Sequence, residues 1–282
     1  QETTTSPYYF KNEQARLDSL LQVGAEVVIN LGYHGNLNEE FRGYITEIIP
    51  NRPLEIKCED ELWKLKQEQV SMSWKNTTLH EVLRFLVPNI QIECLNIDLS
   101  PFRLDKVSKA EALAKIKTEY GLDIYFRQKK LYVGFAYQEK DLPEVRYNLK
   151  KNLVRDQSAL IFKSKKDVKI KIKAVSVLKD NSRIEVEAGD EDGELRTLHF
   201  YNITNQSELK ILAEEKLEAL KYDGYRGKIK TKGVPFVVHS SRAEITDENN
   251  LGRKSKYFND EVNTTFDSSG FNREVEIGRK AS

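Results

Sequence analysis

The chain has 282 residues, which is enough for one large or two ordinary domains, each with its own core. Charged residues make up 32% of it, but 45 lysines and arginines balance 44 aspartates and glutamates. The resulting net charge of +1 excludes a global basic field that would steer the chain onto DNA or a membrane. Thirteen tyrosines and twelve phenylalanines argue against disorder.

Targeting and redox signals are sparse. No stretch approaches the roughly 20 apolar residues that span a bilayer, and no secretory signal is visible. Cys58 and Cys94 have no spacing signature, so they predict neither a disulfide framework nor a zinc site. Because the chain begins with Gln1 and not with methionine, we expect an N-terminal piece to be missing and the first domain to lack a strand.

The first 75 residues combine a polar tail at 1–20 with three short strands. The segments AEVVINLGY, EFRGYITEII and LEIKCED have strand patterns, and turn residues at 34–36 and 51–53 separate them. Short strands with tight turns predict an antiparallel sheet or barrel. Trp63 and Trp74 flank a charged stretch, and we expect them to pin a short helix to this sheet.

Residues 76–137 change to the pattern of a small α+β unit. Thr78, with Glu81 three residues later, forms the capping box of a helix. A second helix starts after Ser108. The segment LDIYFRQKKLYVGFAY then predicts a hairpin with a short turn around residues 128–129.

A polar, basic joint follows Pro143 and leads into a second strand-rich region. Its clearest element is a helix at about 205–222, capped by Asn205 and carrying leucines at helical spacing. The acidic segment GDEDGE is expected to be a hairpin turn. The last alternating segments, KYFNDEVNTTF and FNREVEIGR, predict a closing hairpin.

The lysine-rich stretch KSKKDVKIKIK has the period of a half-buried strand. A two-residue loop at 180–181 would place Lys171 opposite Asp190. The same register places Lys169 opposite Asp192. A neutralised, solvated face is therefore favoured over a nucleic-acid groove, which would need aromatic residues between the basic ones. A change of the apolar face along this strand indicates a β-bulge.

No cluster of residues points to catalysis, a cofactor or a metal. There is no phosphate-binding glycine loop, no H-E-x-x-H and no G-x-S-x-G. The four histidines lie far apart, and the strand position of His199 favours a structural role. The acidic run at 190–194 lacks the ligand spacing of a calcium loop, so a turn is favoured.

Several segments together suggest a family. They are VVINLGYHGNLNEEFRGYITEIIPNRPLEIKCEDELWKLKQ at 27–67, YGLDIYFRQKKLYVGFAY at 120–137, GELRTLHFYNIT at 193–204, LKYDGYRG at 220–227 and GFNREVEIGRK at 270–280. The combination resembles the late control D, or baseplate hub, family of contractile phage tails, in its Bacteroides-type phage or prophage form. The resemblance covers most of the chain, from about residue 23 to 280. The family has a further strand or two before Val23, which the tail at 1–20 does not supply.

The resemblance implies an α+β fold that is mainly β, with two tail-tube-like β-barrel domains at 1–75 and 146–282 and an α+β insertion at 76–145. It implies a homotrimeric ring that connects the tail tube to the central spike, among other baseplate proteins. The tape-measure protein or DNA would pass through its channel. It also implies a structural, non-enzymatic protein without a catalytic residue, cofactor or metal. Such a protein is located in the virion tail baseplate and is assembled in the bacterial host cytoplasm.

The closing hairpin supplies candidate channel-lining residues. Glu261, Asn263 and Thr265 share one face of its first strand. A lumen that passes DNA should avoid basic residues, because phosphate contacts add salt-dependent affinity and would slow transit. Acidic and neutral polar side chains suit such a lumen.

Alternative functions stay open. The chain resembles, in part, the hub-like module of a tail-associated lysin or of a type VI secretion spike protein. Two alternatives belong to other classes of protein. One is a nucleic-acid-binding module that uses the strand at 163–173, and the other is a carbohydrate-active enzyme with an unrecognised carboxylate pair.

Overall fold

A computed structural model describes residues 21–99, 101–137, 142–154 and 159–281. The polar tail predicted at 1–20 lies outside these residues. The fold is mainly β, with 51% strand and 19% helix, as the sequence predicts. In the described ranges no sheet closes on itself, so the predicted closure into two barrels is not confirmed.

The chain divides into two compact units. The first comprises residues up to Gln69 together with Ser108–Ala110, and the second comprises Val70–Val107 and Glu111–Ser282. The domain boundaries after residues 75 and 145 stay a prediction.

The first unit is a three-stranded antiparallel sheet with one short helix, and the predicted strands are confirmed. Its elements are β1 (Glu26–Tyr33), β2 (Asn36–Ile49), β3 (Glu55–Glu59) and α1 (Leu62–Gln67). His34 and Gly35 turn the chain between β1 and β2 with φ values of 52° and 81°. Trp63 of α1 stacks on Tyr44 of β2 at 6.0 Å between ring centroids, so it pins the helix as predicted. Trp74 does not, because its partner is Phe85 of the second unit.

Residues 69–134 form helices and short strands, and the two helices and the hairpin predicted within 76–137 are confirmed. The elements are β4 (Gln69–Trp74), α2 (Leu79–Leu86), β5 (Gln91–Cys94), β6 (Phe102–Ser108), α3 (Lys109–Tyr120), β7 (Asp123–Arg127) and β8 (Lys130–Gly134). β4 pairs with β6, and β8 lies between β5 and β7. The capping box is confirmed: the Thr78 hydroxyl accepts from the Glu81 amide, and the Glu81 carboxylate accepts from the Thr78 amide. Gln128 and Lys129 form the hairpin turn, both with positive φ.

Strands and one long helix make up the rest of the second unit. The elements are β9 (Glu144–Asn148), β10 (Ala159–Lys163), β11 (Ile170–Val177), β12 (Arg183–Gly189), β13 (Glu194–Tyr201), α4 (Gln206–Leu220), β14 (Gly224–Lys232), β15 (Arg242–Thr246), β16 (Ser255–Asp267) and β17 (Gly270–Ala281). Six strands form a sheet in the order β10-β14-β17-β16-β15-β9, and three form a sheet in the order β12-β11-β13. The predicted helix and its cap are confirmed, since the Asn205 side chain accepts from two backbone amides of the first turn.

The first part of the segment predicted as a basic joint is a strand. β9 lies at the edge of the six-stranded sheet, parallel to β15. Val145 and Tyr147 point into the core, while Glu144 and Arg146 are exposed and Asn148 is half-buried. This alternation covers only five residues amid charged neighbours, and its partner strand lies about 100 residues later in the chain.

Two predictions about the lysine-rich strand are wrong. The acidic segment at 190–193 is not a hairpin turn, because β12 and β13 lie on opposite sides of β11. No bulge interrupts β11, which pairs continuously with both neighbours. From Ala174 to Val177 the strand is buried on both faces. Its sequence stops alternating there because both faces are covered.

Two apolar cores hold the elements from 144 onward. One lies under the six-stranded sheet and contains Tyr147, Ile229, Ile245, Tyr257 and Val275. The other lies between the three-stranded sheet and α4 and contains Ile170, Ile172, Ala174, Leu209, Ala213 and Leu217. The apolar stripe predicted for the helix therefore faces β11 and β12.

We expect Leu209→Ala to lower the free energy of unfolding by about 2–5 kcal/mol, because the side chain is fully buried and its removal leaves a cavity. Ile211→Ala on the same helix is the matched control, since Ile211 is 58% exposed and should change stability by less than about 1 kcal/mol. Urea denaturation followed by circular dichroism measures both. Equal losses in the two variants would contradict the packing of α4.

Stability should fall at alkaline pH because buried tyrosines resist ionisation. Burial raises the pKa of Tyr120 to about 12, against about 10 in an unfolded chain. The contribution is fully present below pH 10 and is lost as the pH rises toward 12, since the unfolded chain ionises first. Tyr120→Phe should therefore lose less stability between pH 8 and pH 11 than the original protein. Urea denaturation at each pH measures this. If the urea midpoints of the two proteins fall by the same amount between pH 8 and pH 11, the burial of Tyr120 does not contribute to the pH dependence.

Candidate functional surface

The described part of the chain contains no side-chain cluster typical of a metal centre. No three His, Cys, Asp or Glu side chains in it are placed to hold a metal ion. His199 on β13 is half-buried, and burial lowers the pKa of its imidazole. His239 packs edge-on against Tyr125 at 5.3 Å. Both histidines are part of the packing of the second unit.

The acidic run after β12 holds the crossover from β12 to β13. The Asp190 carboxylate lies 2.6 Å from the Lys221 ammonium and accepts from the Ile170 amide at 3.1 Å. The contact with Lys221 lowers the pKa of Asp190. Asp192 forms an ion pair with Lys169. These carboxylates are engaged in fixing the chain.

The lysines of β11 are neutralised, but the predicted register is wrong by one residue. Lys171 lies opposite Gly189 and not opposite Asp190. The cause is the connection, which runs over residues 178–182 instead of the two residues assumed. Since side chains alternate along a strand, the register decides which carboxylates share the face of the lysines.

The ion pairs of β11 run diagonally across the sheet. Lys171 Nζ lies 2.7 Å from Glu187 Oε2, and Lys173 Nζ lies 2.7 Å from Glu185 Oε2. The predicted pair of Lys169 with a carboxylate of the acidic run is present. The lysine-rich strand is therefore a locally neutralised face, which removes the main argument for nucleic-acid binding there.

The closing hairpin is present as β16 and β17. Glu261, Asn263 and Thr265 are exposed at alternate positions of β16, with the half-buried Val262 between the first two. Val262 packs against the core under the six-stranded sheet. The three predicted residues thus share the outward side of the hairpin, and their role as channel lining stays a prediction.

The outward side of the hairpin continues across β17 and onto β14. Read across β16, β17 and β14, the rows are Glu261–Glu276–Lys228, Asn263–Glu274–Lys230 and Thr265–Asn272–Lys232. We call these nine residues, together with Asp267 at the tip, the hairpin face. It carries three lysines and four carboxylates, which leaves a formal charge of −1.

Carboxylates of β17 hold the first lysine of the hairpin face. Lys228 Nζ lies 3.0 Å from Glu274 Oε1 and 3.9 Å from Glu276 Oε2. The hydrogen bond to Glu274 raises the pKa of Lys228, and the charge of Glu261 on the next strand contributes in the same direction. Lys228 therefore stays protonated inside an acidic environment.

The other two lysines also face acceptors. Lys232 Nζ donates to Asn272 Oδ1 at 3.2 Å. Hydrogen bonds from Ser269 lower the pKa of Asp267, and the positive charge of Lys230 adds to this shift. Each of the three lysines on β14 therefore lies near an oxygen-bearing side chain of β17 or of the hairpin tip.

Arg273 anchors the hairpin from the inner side of the sheet. It is fully buried, and its guanidinium donates to the carbonyls of Gly233 at 3.0 Å and Val237 at 3.1 Å. The rings of Phe236 and Phe271 lie 5.3 and 5.7 Å from it. A buried charge is tolerated only when hydrogen bonds satisfy it, so this contact fixes β17 against the segment after β14.

The sequence contained part of the signal for the hairpin face. The alternation in RGKIKTKG places its lysines on one side of a strand. That this strand pairs with β17, and so joins the lysines to Glu274 and Glu276, depends on the sheet order. No local pattern carries that information.

No described protein family matches the sequence, and no curated protein matches it either. Solved structures do match in fold. A tail protein from Neisseria meningitidis is similar at a TM-score of 0.57 and 14% identity, over 91% of this chain and 87% of that one. The 43 kDa tail protein of prophage MuSo2 from Shewanella oneidensis is similar at a TM-score of 0.59 and 15% identity, over 92% and 82%.

A component of the E. coli type VI secretion system, itself structurally similar to bacteriophage tail proteins, has a TM-score of 0.58. The identity is 6%, over 98% of this chain and 68% of that one. At these identities the likeness establishes a shared fold. The chain thus has the fold found in phage tail proteins and in this secretion component.

We expect Arg273→Leu to lower the free energy of unfolding by about 3 kcal/mol or more, because two buried carbonyls lose their donors. Lys280→Leu on the same strand is the control, since that side chain is exposed and its replacement should have a much smaller effect. Chemical denaturation measures both. A loss in Arg273→Leu no larger than that of the control would show that the anchor does not stabilise the sheet.

Proposed function

We propose that the chain is a structural, non-enzymatic hub protein of a phage tail baseplate or a related contractile injection system. The observation that carries the proposal is the match in fold to tail proteins along nearly the whole chain, 91% and 92% in two cases. The sequence segments that resemble the baseplate hub family support the same proposal. No arrangement of titratable groups in the described ranges competes with this interpretation as a metal centre.

In this proposal three copies form a ring that connects the tail tube to the central spike. The other baseplate proteins are its neighbours in the virion, and assembly takes place in the bacterial host cytoplasm. No helix in the described ranges has the length and apolar character needed to cross a membrane. The tape-measure protein or DNA passes through the channel of the ring.

The edges of the six-stranded sheet support association between copies. β9 has its outer edge occupied, since the Asn152 side chain donates to the Arg146 carbonyl and accepts from the Asn148 amide. β10, at the other end, has no further strand beside it in the described ranges. An open edge invites pairing with another chain, and a closed ring removes such edges. Barrel-like closure would then arise between copies.

The hairpin face is the part of this sheet that we assign to the channel. Glu261, Asn263 and Thr265 would face the lumen together with their neighbours on β17 and β14. Their polar and mainly acidic character fits a surface along which a polymer moves without being held.

A second candidate is the corresponding module of a type VI secretion spike protein or of a tail-associated lysin. The similarity to the E. coli secretion component, which covers 98% of this chain, favours the secretion system. This candidate shares the trimer and differs in the machine to which the ring belongs.

The proposed ring predicts an absolute mass of three chains, each of 32.7 kDa, by light scattering behind a sizing column. Ile161→Glu should shift the mass toward one chain, because it places a charge on the open strand β10, where Ile161 is 60% exposed. Ile211→Glu is the matched control at 58% exposure on α4 and should leave the trimer intact.

A mass of one chain at every concentration would contradict a ring that forms from this protein alone. A trimer that both variants leave unchanged would contradict the role of β10 but not the ring. Electron microscopy of a trimeric sample should show a central channel.

A further inference from the structure

We propose that the hairpin face is a polyanion-repelling surface whose own carboxylates offset the positive charge of a column of lysines spaced to match phosphates. The inference rests on the proposed function in one respect, namely that a linear polyanion such as DNA passes this face. The inference itself concerns the charges of the face, and these can be tested whether or not a ring forms.

The lysines of β14 are spaced for phosphates. Lys228, Lys230 and Lys232 alternate with the buried Ile229 and Thr231, so all three point outward. A rise of about 3.4 Å per residue in an antiparallel strand puts them about 6.8 Å apart. This is twice the axial spacing of about 3.4 Å between phosphates on one strand of B-DNA. An uncompensated column of this kind would bind nucleic acid.

The compensation comes from the neighbouring strands. Glu274 and Glu276 lie directly across from Lys230 and Lys228, and Glu261 lies one strand further. Lys228 contacts both carboxylates of β17. Without Glu261, Glu274 and Glu276 the formal charge of the face would change from −1 to +2. These three glutamates therefore decide whether the face attracts or repels phosphates.

The arrangement differs from the neutralised face on β11. There the ion pairs lie beside the solvated side of α4, with Lys210 and Ser207 lining the same shallow depression. On the hairpin face the lysines, carboxylates and amides form unbroken rows over three long strands. A polymer lying along the strands would meet carboxylates beside the lysines in the first two rows and at the tip, so the face exerts no net attraction.

The test is DNA binding by the full chain, measured as fluorescence anisotropy of a labelled 30-base-pair duplex across a salt series. The original protein should show no salt-dependent binding. The triple variant Glu261→Gln, Glu274→Gln and Glu276→Gln should bind, with a slope of log K against log salt between about −1 and −3, since each phosphate contact contributes about −0.9. Thermal unfolding verifies that the variant is folded.

A matched control carries the same change of net charge elsewhere. Glu191→Gln, Glu214→Gln and Glu215→Gln alter three exposed carboxylates outside the hairpin face and should produce no binding. Adding Lys230→Gln and Lys232→Gln to the first triple variant should abolish the binding that it gained. Salt-dependent binding by the original protein, or equal binding by the two triple variants, would overturn the inference.

The outcome is separate from that of the ring. A trimeric protein whose first triple variant gains no more binding than the control would overturn this inference and leave the hub proposal standing. A monomeric protein whose first triple variant gains binding would support the inference and contradict a ring that forms from this protein alone.

Discussion

Side chains on successive residues of a strand point to opposite faces, and this alternation governs the six-stranded sheet. On β14, β16 and β17 it sends Ile229, Val262 and Val275 toward the core. The residues between them form the charged hairpin face. A shift of one residue would bury the charges and expose the core, so stability and surface chemistry depend on the same register. The arrangement of charges on the hairpin face therefore depends on the stability of the core beneath it.

Specific contacts fix this register. The guanidinium of Arg273 binds two backbone carbonyls of the segment that follows β14, between two phenylalanine rings. Gly233 lies so close to Phe271 that a Cβ atom would meet its ring at 2.1 Å. Any slip of β17 would leave a buried charge without acceptors and drive an aromatic ring into the backbone. The hairpin face is thus held by interactions on the opposite side of the sheet.

Local signals predicted local structure well. The capping box at Thr78, the helix at 206–220 with its Asn205 cap, the turn at 128–129 and the closing hairpin all follow from residues a few positions apart. The failures involve distant partners: β9 was missed because it pairs with β15, and β13 was misplaced because it crosses to the far side of β11. For the same reason three candidate surface residues were found on β16 but their lysine neighbours on β14 were not. Their adjacency exists only once β17 lies between the two strands.

The position of β17 has a consequence for how the protein is made. Of the six strands in the sheet it comes last along the chain, yet it lies between β14 and β16 in the interior. Synthesis proceeds from the N-terminus, so β14 and β16 each have an unpaired edge until β17 has left the ribosome. Unpaired strand edges are sites of aggregation. The vulnerable interval is therefore the time between the translation of β14 and that of β17, during which β15 and β16 are made.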